Sequence, residues 1–185
     1  MTPNTDALRI VAKFVGAHNS SLDVCEFGER CDDFIEEARA VLSASPQAPA
    51  QPASTGGTME LVLIRGLPGS GKTTMARVLA LVGYEHHEAD HYFERDGTYM
   101  FDAAELPKAH AWCLDRAIDS MARGVRCVVA NTFTRRWEMQ PYMDAAKAAG
   151  VPVRVIEARG EWENCHGVPA DAIERMRARW ELVDA

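Results

Sequence analysis

Apolar positions along the chain follow two kinds of spacing. In residues 6–18, Leu8, Val11, Ala12 and Val15 recur at helical intervals, and in 29–42 Phe34, Ile35, Ala38 and Leu42 form a second stripe. Two short helices are predicted there, a pair too small to bury much surface alone. Residues 44–58, ASPQAPAQPASTGGT, carry no charge and are mostly Pro, Ala, Ser and Gly, the composition of a linker. Beyond it the pattern changes. Leu61-Val62-Leu63-Ile64 is a continuous apolar run, as a strand buried on both faces requires. A helix is predicted from Thr73 to Val82, closed by Gly83, then a weaker strand from Tyr84 to Ala89. The span Glu105 to Arg123 sets Ala109, Cys113, Ala117 and Met121 on one helical face. Val125 to Ala130 reads as the third strand and Val153 to Ile156 as the fourth. Pro141 suits the first turn of a helix that stops at Gly150, and Asp171 to Trp180 is the last helix.

This alternation predicts an α/β fold: a four- to five-stranded parallel sheet flanked by helices. The expected organisation is a small helical appendage (1–43), a linker (44–58) and a main domain (59–185). Composition changes this picture little. The hydrophobic fraction of 47% is that of a globular protein. No apolar run is long enough to span a bilayer, and the N-terminus lacks the pattern of a signal peptide. The five cysteines are scattered without a CxxC pair, which points to a reducing cytoplasm and away from disulfide or zinc-ribbon scaffolds. A net charge of −7 argues against general coating of nucleic acid. Charge is uneven, however: Arg123, Arg126, Arg135 and Arg136 face only Glu138 in 121–140, so a local basic site remains open.

The chemistry enters at Gly66-Leu67-Pro68-Gly69-Ser70-Gly71-Lys72-Thr73, followed by Thr74. It fits the phosphate-binding loop G-x-x-x-x-G-K-[ST] at every fixed position, between a buried strand and a helix. Glycines let backbone N–H groups approach phosphate oxygens, and the helix adds its positive end. Lys72 is expected to reach the β- and γ-phosphates of ATP, and the Thr73 hydroxyl to ligate Mg²⁺. The loop alone serves kinases, switches and motors alike, and the small domain fits a kinase best. A kinase needs a carboxylate to take the acceptor's proton. Asp90, at the end of the second strand, is the candidate, with helix or turn capping as the alternative. His87 and His91 have helical spacing, but the segment reads as a strand end and exposed loop histidines are expected there. Cations are offered by Arg135 and Arg136 after the third strand and by Arg175 and Arg179, one turn apart on the last helix. The latter pair is either a phosphate lid or a solvated face partnered by Glu174 and Glu181.

GLPGSGKTT, EADHYF, GTYMFD, AHAWC, NTFTRRWEMQPY and NCHGVP, in this order across 60–181, resemble the P-loop kinase family that includes phage polynucleotide kinase and stand-alone phage DNA-modifying kinases, an AAA-type ATP-binding domain. The resemblance implies that Asp90 is the general base, that Lys72, Arg175 and Arg179 complete the catalytic set, and that Asn164, His166, Gly167 and Pro169 form the turn before a lid. Tyr92, Asn131, Arg135 and Arg136 become candidate acceptor contacts. The chain departs from the pattern at Asp90-His91-Tyr92-Phe93, where relatives often carry two acids and an arginine, at Ala130, and at Gly160-Glu161-Trp162-Glu163, which lacks an arginine. The implied acceptor is a hydroxyl on nucleic acid, favourably the hydroxymethyl group of 5-hydroxymethyluracil in phage DNA within the host cytoplasm. A 5′-hydroxyl strand end, a nucleoside or other small metabolite, and a non-catalytic ATP-binding module are the alternatives. Tyr92, Tyr99, Phe101 and Trp137 are aromatic residues on the substrate side, at least half of them expected to pack in the core. No membrane is implied, and a partner for the N-terminal helices is unknown.

Overall fold

Two strands of unbroken burial form the centre of the domain. In the computed structural model, which describes residues 59–95, 97–163 and 167–182, β1 (Leu61–Arg65) and β5 (Cys127–Asn131) are buried at every position. The expected helices at 6–18 and 29–42, the linker, and the turn residues Asn164 and His166 lie outside the described residues. β1 pairs in parallel with β5 on one side and with β6 (Val153–Glu157) on the other, and β2 (Glu85–His87) joins the far side of β5. The order is β2-β5-β1-β6, a four-stranded parallel sheet. Such a sheet has apolar residues on both faces because helices cover both. Leu61, Leu63, Cys127 and Val129 face α2 (Leu106–Ala122) and α3 (Arg136–Ala149), through Ala109, Cys113, Ala117, Met139, Tyr142 and Ala146. Val62, Ile64, Val128 and Ala130 face α1 (Lys72–Leu81) through Ala76. A final helix, α4 (Ala170–Ala178), buries no side chain fully.

Three local differences from the sequence pattern have physical causes. The second strand ends at His87, and Ala89–Phe93 is a 3₁₀ turn, because the His91 N–H bonds back to the Glu88 carbonyl at 3.3 Å. α3 begins at Arg136, which leaves Pro141 inside the helix and not in its first turn. The Glu138 carboxylate accepts from the Arg135 backbone N–H at 3.2 Å and so starts the helix early. A two-stranded hairpin, β3 (Glu94–Arg95) with β4 (Thr98–Tyr99), was not anticipated. In its turn Gly97, at φ 75°, has the left-handed backbone such turns demand.

All four strands of the main sheet run the same way. Gly66, Glu88, Thr132 and Ala158 therefore follow their strands at one shared edge, where open α/β sheets bind ligands. Among the described residues no helix is long and apolar enough to cross a membrane.

Candidate active site at the carboxyl edge of the sheet

The loop after β1 is shaped by close approach. A Cβ on Gly66 would lie 2.2 Å from Ser70 Oγ and 2.8 Å from the Ala158 carbonyl oxygen. Gly71 holds φ 85° and opens α1, whose start has no side-chain cap, so the first backbone N–H groups remain available to an anion. Lys72 Nζ donates to the Leu67 carbonyl at 2.9 Å, bridging the loop it is expected to serve. This cradle and the lysine and threonine donors fit ATP with Mg²⁺. The segment after β6 leans on the same loop. The Trp162 N–H donates to the Gly69 carbonyl at 2.9 Å, and a Cβ on Gly71 would sit 2.5 Å from the Trp162 ring. No motif in the sequence marks this tryptophan.

The end of β2 meets the loop through one carboxylate. Glu88 is 4% exposed. Its Oε2 accepts from the Thr73 hydroxyl at 3.1 Å and its Oε1 faces His86 Nε2 at 2.7 Å. Sequence reasoning passed over Glu88. Its position two residues before Asp90, on the face opposite His87, was the available signal. Asp90 follows in the 3₁₀ turn, half-buried, and the Tyr99 hydroxyl from the hairpin donates to its Oδ1 at 3.2 Å. Asn131 is buried at the end of β5. Its Oδ1 accepts from the Ala89 N–H at 2.9 Å and its amide nitrogen approaches Cys113 Sγ at 3.6 Å, so it braces the turn that presents Asp90. Phe133 beyond it is held at φ 44°, an uncommon backbone for a bulky residue, with its ring edge-on to Tyr142.

The histidines are not exposed loop residues. His86 and His87 point to opposite faces of β2, as strand alternation dictates. His87 Nε2 meets Ser120 Oγ at 2.7 Å, and burial pushes its pKa down to about 4. His86 faces His91, with ring centroids 4.9 Å apart and planes at 73°. Burial also lowers the His91 pKa. Tyr92 packs toward Trp112, and its hydroxyl donates to Glu105 at 3.1 Å. Of the four aromatic candidates it alone packs inward. Tyr99, Phe101 and Trp137 are exposed, Tyr99 beside Asp90, Phe101 against the Phe93 ring and Trp137 on α3, contrary to the expectation that half would join the core.

The arginines have separate settings. Arg65, fully buried at the end of β1, lies over the Trp180 ring at 3.9 Å and reaches the Thr134 carbonyl at 3.4 Å. Desolvation lowers its pKa, opposed chiefly by Glu157. Arg179 Nε donates to Thr134 Oγ1 at 3.1 Å and the Glu181 N–H to the Thr134 carbonyl at 2.9 Å, which fixes the chain after α4 to the loop after β5. Arg136 joins this anchor: its N–H bonds Glu181 at 2.8 Å and its Nε the Leu182 carbonyl at 2.8 Å. Arg175 points elsewhere, to Asp171 at 2.6 Å on the exposed helix surface. Arg135 is exposed at the start of α3.

A parallel sheet whose first strand feeds a glycine loop, a lysine and a threonine at a helix start is a P-loop nucleotide-binding domain of the kinase-like kind. A family model described as "AAA domain" matches residues 61–179, and the chain belongs to that family. It is similar to human NEDD4-binding protein 2, with 33% identity in a match 137 positions long that covers 65% of this chain and 8% of that protein. The chain thus spans a small part of that relative. Among solved structures it resembles a sugar kinase from Janibacter sp. HTCC2649 (20% identity, 68% of this chain and 69% of that one, TM-score 0.40). It also resembles a chain of a Pnkp1/Rnl/Hen1 complex (12% identity, 73% and 43%, TM-score 0.45).

Proposed function

We propose that this protein is an ATP- and Mg²⁺-dependent kinase that phosphorylates a hydroxyl carried by nucleic acid. The favoured acceptor is the hydroxymethyl group of 5-hydroxymethyluracil in DNA. The observation that carries the proposal is the hydrogen bond from Thr73 to Glu88, which ties the phosphate loop to the turn presenting Asp90. Donor loop and candidate base are thereby held at one edge, as in-line transfer requires. The exposed ring of Tyr99 beside Asp90 favours an acceptor with a base to stack.

The backbone of 69–74 and Lys72 hold the β- and γ-phosphates, and Thr73 holds the Mg²⁺, which neutralises charge on the phosphate oxygens. Asp90 accepts the proton of the acceptor hydroxyl. The acceptor oxygen forms a bond to the γ-phosphorus as the bond from that phosphorus to the β-bridging oxygen breaks, and ADP leaves. Tyr99 occupies one Asp90 oxygen and thereby orients the carboxylate. The two cations expected on α4 are engaged away from the loop, Arg175 with Asp171 and Arg179 with Thr134, so Lys72 is the cation assigned to the transferring group. The net charge of −7 favours a second reading, a kinase for a small acceptor that needs no basic track.

The test offers γ-labelled ATP and Mg²⁺ with three acceptors: DNA containing 5-hydroxymethyluracil, unmodified DNA with 5′-hydroxyl ends, and a nucleoside mixture. Label on the modified DNA is the expected outcome. Asp90→Asn should reduce transfer by roughly 10²–10⁴-fold while ATP still binds. Label at strand ends makes it a polynucleotide kinase. Label on nucleosides alone establishes the small-acceptor reading. No label with ATP bound makes it a non-catalytic binding module.

A further inference from the structure

We infer that His86, Glu88 and His91 form a binding site for a divalent first-row transition metal, with Zn²⁺ the best-fitting ion. Each of the three offers one ligand atom, and these atoms lie within 4.8 Å of one another. Local backbone geometry produces the convergence. Residues 86 and 88 share a face by strand alternation, and the 3₁₀ turn that starts at Ala89 folds residue 91 back over them. The His91 N–H to Glu88 carbonyl bond at 3.3 Å closes that turn, and the two imidazole rings stand edge to face.

The donor set decides the ion. Two imidazoles and one carboxylate suit Zn²⁺, Co²⁺ or Ni²⁺, whereas Mg²⁺ takes oxygen ligands. Three protein ligands leave coordination positions for water. The nearly fully buried Glu88 carboxylate meets only a hydroxyl and an imidazole across its two oxygens, and a dication between the rings supplies the charge it faces. The site is distinct from the Mg²⁺ position assigned to Thr73, because Glu88 turns Oε1 toward His86 and Oε2 toward the threonine. The same carboxylate supports Thr73 as an outer partner, an arrangement known to orient metal ligands. His87 takes no part: it lies on the other face of β2, against Ser120.

The experiment uses the full-length, untagged protein, treated with chelator and free of nucleotide and Mg²⁺. Co²⁺ is titrated and its visible d–d absorption recorded, then Zn²⁺ is added in competition. The expected result is one Co²⁺ per chain with bands that Zn²⁺ displaces. His86→Ala and His91→Ala should each weaken binding at least tenfold, with the exposed His110→Ala unchanged. His91→Asn keeps a polar side chain on the turn and decides the matter should an alanine variant fail to fold, judged by circular dichroism. Absence of visible bands overturns the inference, as does equal affinity in wild type and His91→Asn. Because the readout is metal binding, its outcome is independent of which acceptor, if any, receives phosphate.

Discussion

Cys127 shows what the sheet does to a single side chain. It is fully buried at the first position of β5, and its Sγ lies 3.9 Å from the Ala117 carbonyl. Burial raises its thiol pKa from 9.0 to about 12. A folded-state pKa above the unfolded one adds stability that is fully present below pH 9 and is lost as pH rises toward 12. Two outcomes are expected. Iodoacetamide at pH near 8 should leave Cys113 and Cys127 unmodified in the folded protein and label both after urea, as read by peptide mass spectrometry. Thermal melts should also fall more steeply above pH 9 in wild type than in Cys127→Ala. The cysteines were legible in the sequence as free thiols, and their burial followed from the runs that hold them. Trp162 was not legible, because it acts through a contact between distant segments that no local spacing records, and Glu88 had only its place two residues before Asp90 to mark it. Asn131 was marked only as a candidate acceptor contact, whereas its use as a brace for Ala89 was visible only in the fold.

At the scale of elements, pattern predicted the buried strands and amphipathic helices well, and failed where the backbone is short and polar. The β3–β4 hairpin has four strand residues and no apolar period, so only Asp96-Gly97 announced it. The attachment of α4 was hidden for another reason. Trp180 reads as the last residue of an apolar helical stripe, yet it lies past the helix and serves as a platform for Arg65. Trp180→Ala should uncover a buried guanidinium whose Nε and Nη1 have no partner of their own. The expected cost is about 2–4 kcal/mol in urea unfolding, from lost burial and the lost cation–π contact. Arg65→Met should cost less, because an apolar side chain of similar length tolerates that site better than a stranded charge does. The reverse order would show that Trp180 is incidental to the anchor.

On the scale of the whole molecule, site and fold are one construction: loop, candidate base and brace come from the ends of β1, β2 and β5, and Trp162 follows β6. All of these lie between Met59 and Leu182. A protein starting at Met59 should therefore fold and bind ATP with unchanged affinity, measured by calorimetry against the full chain. A folded truncation that fails to bind would place part of the nucleotide site in the first 58 residues. The strand order also has a consequence in time. Of the four strands in this sheet β1 is made first, but its two neighbours begin at Cys127 and Val153. On the ribosome the phosphate loop must wait, with its strand unpaired on both edges, until nearly the whole domain has emerged. Such late, long-range closure slows folding and leaves an apolar strand exposed to wrong partners meanwhile. Synthesis of this protein thus has a window of vulnerability that closes only with the last strand of this sheet.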